Sequence, residues 1–385
     1  MNTAAGPLVG LVLLLSACQI SEDSTAKAPV PFKFKQLKLH QNDRGGKKLW
    51  DLQSPKASYR INQRIAYIEM PEGLLYRNGQ ASYRITAKRG TIINDGEQIE
   101  LINSVKLTTL DYRKITLLAG RAIWKPAENI IDLIDKPQAL DPTRTLSAGK
   151  ARFHINREDL ELKQSPRLLI WTKQQKAPEL PQLDLLVRTA NWNLINGKLS
   201  AAGPIKSLQR PQKDQQRFLT AVALEGNTKE EWLDFLPPVV ITDPAKKMEL
   251  KAGLSRWWIK QERITSLDYA EAKLDKLLLK GSKLDLQERN HSIQVGANCV
   301  VIQPQQSLKA DTCTWNWKTG AILAEGAVEL RRNQLNQVTR ARQLQGKTGS
   351  DGLVVFTAPG ERVATQLRLP QAKSPIKNQT PAIQF

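Results

Sequence analysis

Beyond residue 31 the chain alternates. Short runs such as Phe32-Lys33-Phe34, Gln98-Ile99-Glu100-Leu101, Val105-Lys106-Leu107 and Leu160-Glu161-Leu162 put apolar and polar side chains on opposite faces, the period of two of a β-strand. Turn-forming clusters separate these runs: Asn42-Asp43-Arg44-Gly45-Gly46, Asn78-Gly79, Asn94-Asp95-Gly96, Asn196-Gly197 and Asp351-Gly352. Almost nothing has helical periodicity. The pattern predicts an all-β, mostly antiparallel fold joined by hairpins. Pro237-Pro238 is expected to break a strand or to lie at an edge.

The alternation is itself repeated. A motif of apolar, any, small, any, any, small, any, bulky can be traced ten times, starting about every 32 residues. Clear copies are Leu52-Ser54-Ala57-Tyr59, Ile85-Ala87-Gly90-Ile92, Leu117-Ala119-Ala122-Trp124, Leu146-Ala148-Ala151-Phe153, Leu250-Ala252-Ser255-Trp257 and Leu308-Ala310-Cys313-Trp315. Degraded copies begin at Leu185 (ending at Trp192), Leu219, Leu279 and Thr339. Such a period indicates an array of like supersecondary units.

Spacing inside the motif carries geometry. Counting its first residue as zero, positions 0 and 2 share one face of a strand, and so do 5 and 7. The step from 2 to 5 is odd, so a straight strand would turn the second pair to the other face. All four point inward only if the strand bends or bulges between them. The expectation is a long sheet folded along its length into a V or flattened barrel. Small residues flank the fold and bulky ones line the interior; four of the nine Trp stand at position 7. An ordinary sandwich whose core these residues fill fits the same spacing.

Composition narrows the function. The chain of 385 residues carries 57 basic and 37 acidic side chains, a net charge of +20, with three Cys and three His. The basic residues are spread along the chain without a recognition-helix pattern, which argues against nucleic acid; for an exported body, membrane surfaces or acidic glycolipids and glycans are the anionic partners that fit, and a solvated basic surface with no specific partner fits as well. Pro7 to Ala17 is an apolar run too short to cross about 30 Å of hydrocarbon. It ends in Leu15-Ser16-Ala17-Cys18, which resembles the bacterial lipoprotein box and implies lipid attachment at Cys18. Residues 1–17 then form a signal peptide and 18–31 a lipidated tether; 371–385, rich in Pro, Lys and Gln, read as a disordered tail.

The segment Trp50-Asp51-Leu52-Gln53-Ser54-Pro55-Lys56-Ala57-Ser58-Tyr59, preceded by Leu37-Lys38-Leu39 and the Asp43–Gly46 turn, resembles the opening of the LptC family, the periplasmic component of lipopolysaccharide export. The later Ala-x-x-Ala copies are similar to LptA (OstA-like) repeats. The resemblance implies an elongated β-jellyroll, LptC-like over 32–175 and LptA-like over 176–370. Its apolar groove would carry lipopolysaccharide acyl chains, and it implies no cofactor or metal. The implied partners are the inner-membrane Lpt transporter at the N-terminal edge and an LptA- or LptD-like jellyroll at the C-terminal edge. Leu52, Tyr59, Ile85, Ile92, Leu117, Trp124, Leu146, Phe153, Leu185, Trp192, Leu250, Trp257, Leu308 and Trp315 are the expected lining. The lipobox in place of a transmembrane anchor and a body about twice the usual length depart from the family pattern.

Cys299 and Cys313, fourteen residues apart on consecutive expected strands of an exported protein, predict a disulfide; two buried thiols are the alternative. No nucleophile, metal set or paired carboxylates suggest an enzyme. A glycan-binding or structural envelope lipoprotein and a β-helical carbohydrate-active enzyme are the competing readings.

Overall fold

Burial follows the alternation. In Thr116–Lys125 the side chains of Leu117, Ala119, Ala122 and Trp124 are buried, while those between them lie nearer solvent. The computed structural model describes residues 31–171, 180–210, 215–347, 354–357 and 362–367. The expected signal peptide, Cys18, nearly all of the tether, the Asp351-Gly352 turn and the tail lie outside these residues. Among the described residues the regular elements are strands, paired antiparallel into a single sheet, and three 3-10 turns at Ile61–Gln63, Asn94–Gly96 and Pro126–Glu128.

That sheet has two limbs. Positions 0 and 2 of each motif belong to the first limb and positions 5 and 7 to the second. In the first, Lys48–Ser54 pairs with Glu72–Arg77, which pairs with Gln80–Thr86. In the second, Lys56–Arg60 pairs with Ile65–Glu69, which pairs with Arg89–Ile93. Three long hairpins run unbroken through both limbs: Gln98–Thr109 with Thr116–Lys125, Lys198–Gln209 with Arg217–Asn227, and Ala321–Arg332 with Gln337–Lys347. They make the limbs one sheet creased lengthwise. Pairing continues across residue 175, where Arg167–Ile170 pairs with Leu183–Leu186 and Asp159–Lys163 with Thr189–Asn193.

The odd step of the motif is resolved at the crease. The register between the first long pair shifts between Ala119 and Arg121, opposite Asn103 and Ser104, whose φ angles are 66° and 55°. This is a bulge: the returning strand carries one residue more than its partner and bends. Left-handed pairs recur at Asp135-Lys136, Gln164-Ser165, Ala297-Asn298 and Gly326-Ala327. Each left-handed non-glycine residue costs about 1–2 kcal/mol, least for Asn and Asp, so the array accepts a repeated local cost to keep both limbs facing inward. Gly203-Pro204 and Pro237-Pro238 occupy the same place in two other returning strands. Pro237-Pro238 thus breaks a strand at the crease rather than lying at an edge.

Side chains of the two limbs meet inside. The Trp50 ring of the first limb packs edge-on against Trp124 of the second at 5.3 Å, and Tyr83 meets Phe153 at the same distance. On the outer face, Arg152 grips Asp132 and Arg256 grips Asp234, each with two hydrogen bonds between directly paired residues. Such pairs hold register at roughly 0.2–1 kcal/mol each.

Because Trp124 is fully buried, Trp124→Ala is expected to destabilise by about 3–5 kcal/mol. Ala122→Leu, which overpacks the crease, should cost about 1–3 kcal/mol. The outward Ile123→Thr should stay within about 0.5 kcal/mol. Urea unfolding followed by circular dichroism measures all three; equal losses would mean that inward and outward positions are not distinct.

Candidate functional site

The expected lining residues lie together. Leu52, Ile85, Ile92, Leu117, Trp124, Leu146, Phe153, Leu185, Trp192, Leu250, Trp257 and Leu308 are buried in one continuous apolar cluster between the limbs. Tyr59 and Trp315, near its two ends, are half-buried against it. Tyr59 donates its hydroxyl to Asp95 Oδ1 at 2.8 Å, at the rim rather than inside. Over most of its length this seam is filled by its own side chains: Ile99, Trp124, Phe153, Phe235 and Leu250 are all 0% exposed.

Toward the C-terminus the seam opens. A cleft of about 750 Å³ lies between Trp315 of the second limb and the first-limb turns that carry Leu277, Gln303, Gln306, Arg332 and Leu335. Leu277, Gln303 and Gln306 also border an inner pocket of about 90 Å³ walled by Val301, Leu308, Ile322, Leu330 and Leu344. Apolar walls dominate the inside, and Lys246, Lys276 and Arg332 stand at the opening. Cys299 and Cys313 are joined, with Cα atoms 5.9 Å apart. Cys299 belongs to the first limb and Cys313, at motif position 5, to the second, so the bond staples the crease behind the cleft.

The mouth of the V is crossed by charges. Glu158, a second-limb turn residue with no exposed surface, takes both Arg77 and Arg113 from the first limb. Arg113 also donates to the Leu194 carbonyl at 3.1 Å. Arg144 reaches Glu231 at 3.7 Å, and the buried Arg217 pairs with Glu288. Finally the Lys246 ammonium lies 4.8 Å from the Trp317 ring centre. Burial, reinforced by the Glu158 carboxylate, pushes the Tyr83 phenol far above its usual value. It stays neutral under the first of these bridges. Among the described residues no group of three or more His, Cys, Asp or Glu could hold a metal ion.

Residues 5–167 match the family model of LptC, lipopolysaccharide-assembly, LptC-related. The front of this chain is LptC-like. Among solved structures, the crystal structure of LptH, the LptA homologous periplasmic component of the conserved lipopolysaccharide transport device from Pseudomonas aeruginosa, shares 15% identity. It covers 34% of this chain and 90% of its own, with a TM-score of 0.26. No curated protein matches.

The LptC-like part holds the first four motifs, and the open cleft lies beyond it. Sequence reading missed the residues that bridge the mouth. A partial signal was present: Phe153 and Gly226 at position 7 are each followed five residues later by a bridging turn glutamate, Glu158 or Glu231. Trp257, however, is followed by Glu262, which pairs within its own limb, and Glu288 has no such marker. The rim of the cleft has no such marker, because its residues come from three turns far apart in sequence.

Replacing Cys299 and Cys313 together by Ala should lower stability by about 3 kcal/mol, the cost of freeing a closed loop of this length. Denaturant unfolding of the oxidised and variant proteins measures it. An unchanged midpoint would mean that the crease holds without the staple.

Proposed function

We propose that this LptC-like chain is a periplasmic component of lipopolysaccharide transport that holds acyl chains between the limbs of its creased sheet. The observation that carries this reading is the C-terminal cleft, apolar within and cationic at its opening, continuous with the apolar seam. Acyl chains exposed to water cost about 0.8 kcal/mol per methylene, and an apolar seam removes that cost without catalysis. Lys246, Lys276 and Arg332 suit an anionic sugar head. In this reading 32–175 and 176–370 act as one continuous conduit, and Cys18 carries the lipid anchor at the inner membrane. The edge strand Phe32–Phe34 faces the transporter, and the strands Val354–Thr357 and Ala364–Leu367 face a downstream jellyroll. A second reading, a rigid envelope spacer, draws support from the solid packing of the LptC-like part.

Photo-crosslinking residues placed at Leu277, Trp315 and Leu330 are expected to capture lipopolysaccharide in cells, with at least tenfold less capture from the outward Lys309 and Glu329. Capture from none of the inward positions would favour the spacer.

A further inference from the structure

We infer that the charged bridges across the mouth are clasps that hold the limbs shut, and that releasing them opens the seam sideways. The inference deepens the lipid-holding reading and rests on it only for the purpose of opening.

Three features of the bridges carry it. All have the same polarity: the cations Arg77, Arg113, Arg144 and Arg217 stand on the first limb, and Glu158, Glu231 and Glu288 on the second. Contacts between neighbouring strands of one limb need no such rule. Next, Glu158 and Glu231 occupy turn positions with φ of 53° and 60°, a region that favours Gly or Asn. Glutamate is uncommon there, and Glu158 holds its carboxylate fully buried against both arginines. Finally, closure and clasps end together. The last clasp is Lys246 over Trp317, and Lys246 also borders the open cleft. Beyond it the first-limb turns at 274–277, 303–306 and 332–337 make no described ion pair to the second limb, and there the mouth gapes.

The chemistry suits a latch. Paired charges taken out of water gain little net stability, because desolvation offsets their attraction, but they define one closed arrangement. Opening returns each charge to water, whereas the crease behind is held by continuous backbone and the Cys299–Cys313 bond. The limbs can therefore part at the mouth while the crease acts as the hinge.

Spin labels at Tyr112 and Ile195, exposed residues on the facing turns beside the Arg113 contact to Leu194, report the width of the mouth by pulsed electron resonance. The protein is the full chain with Cys18→Ser. Without lipid, the native sequence should give one short, narrow distance distribution. Glu158→Gln together with Glu231→Gln and Glu288→Gln should add a second population at longer distance. Asp132→Asn, which breaks an outer-face pair, should leave the distribution unchanged. If the triple variant does not fold, Glu231→Gln alone is read with the labels at Pro142 and Lys229, exposed residues on the turns next to Arg144 and Glu231, and broadening is again expected. An unchanged distribution in a folded clasp variant overturns the inference, as does equal broadening in Asp132→Asn. Adding lipopolysaccharide separates the two claims. A mouth that widens without its clasps but captures no more lipid from Trp315 keeps the latch and counts against the lipid-holding function.

Discussion

Every level of this protein depends on putting two inward-facing pairs of side chains on one chain with an odd step between them. A flat strand cannot do this. The sequence meets the constraint with small residues at positions 2 and 5 and with a bulge in the returning strand, where Asn103-Ser104 and its counterparts take left-handed backbone. Bending there creates a crease, and the crease turns one antiparallel sheet into two limbs with a shared apolar interior. From the crease follow the position of the core, the open side, and the need for something to bridge that side.

Repetition makes the arrangement tolerant. Each unit pairs only with its neighbours, so stability accumulates along the array and a poor copy is carried by good ones. The copy at Leu219 has Leu224 and Gly226 where the clear copies have a small residue and a bulky one, yet Leu219, Ala221 and Leu224 remain buried on the same face. Gly226 leaves room that Leu233 fills from the next strand: a Cβ there would come within 2.7 Å of it. Filling the seam matters more than which strand supplies the side chain.

The strand content, the hairpins and the crease were legible in the sequence because each depends on neighbours within a few residues. Leu117, Ala119, Ala122 and Trp124 announce their own geometry by spacing alone. The Cys299–Cys313 bond joins opposite limbs across the crease, with the strand Gln306–Ala310 between the two in sequence, not the consecutive strands the spacing suggested. What could not be read is how the limbs meet across the open side. Arg77 and Glu158 are far apart in sequence and share no period, and their meeting depends on how far the sheet twists over several units. The core is packed near Trp124 and open near Trp315, although both residues hold position 7 of clear motifs. Periodicity specifies the face a residue occupies; it does not specify what stands opposite.

A filled seam and a lipid conduit are compatible once the cost of parting the limbs is divided. In water, separating them exposes apolar surface at about 25 cal/mol per Å², which keeps the protein shut. With acyl chains at the mouth, the surface lost by one limb to the other is covered by lipid instead, and that contribution largely cancels. What remains is the polar side, where Glu158 and its arginines must exchange one another for water or for the charged head of the incoming molecule. An anionic head beside Arg77 or Arg113 supplies that exchange directly, because it offers the arginines what Glu158 offers them. In the proposed reading, loss of the clasps lets the mouth part for some of the time, oily chains stabilise the parted limbs, and an anionic head stabilises the released arginines.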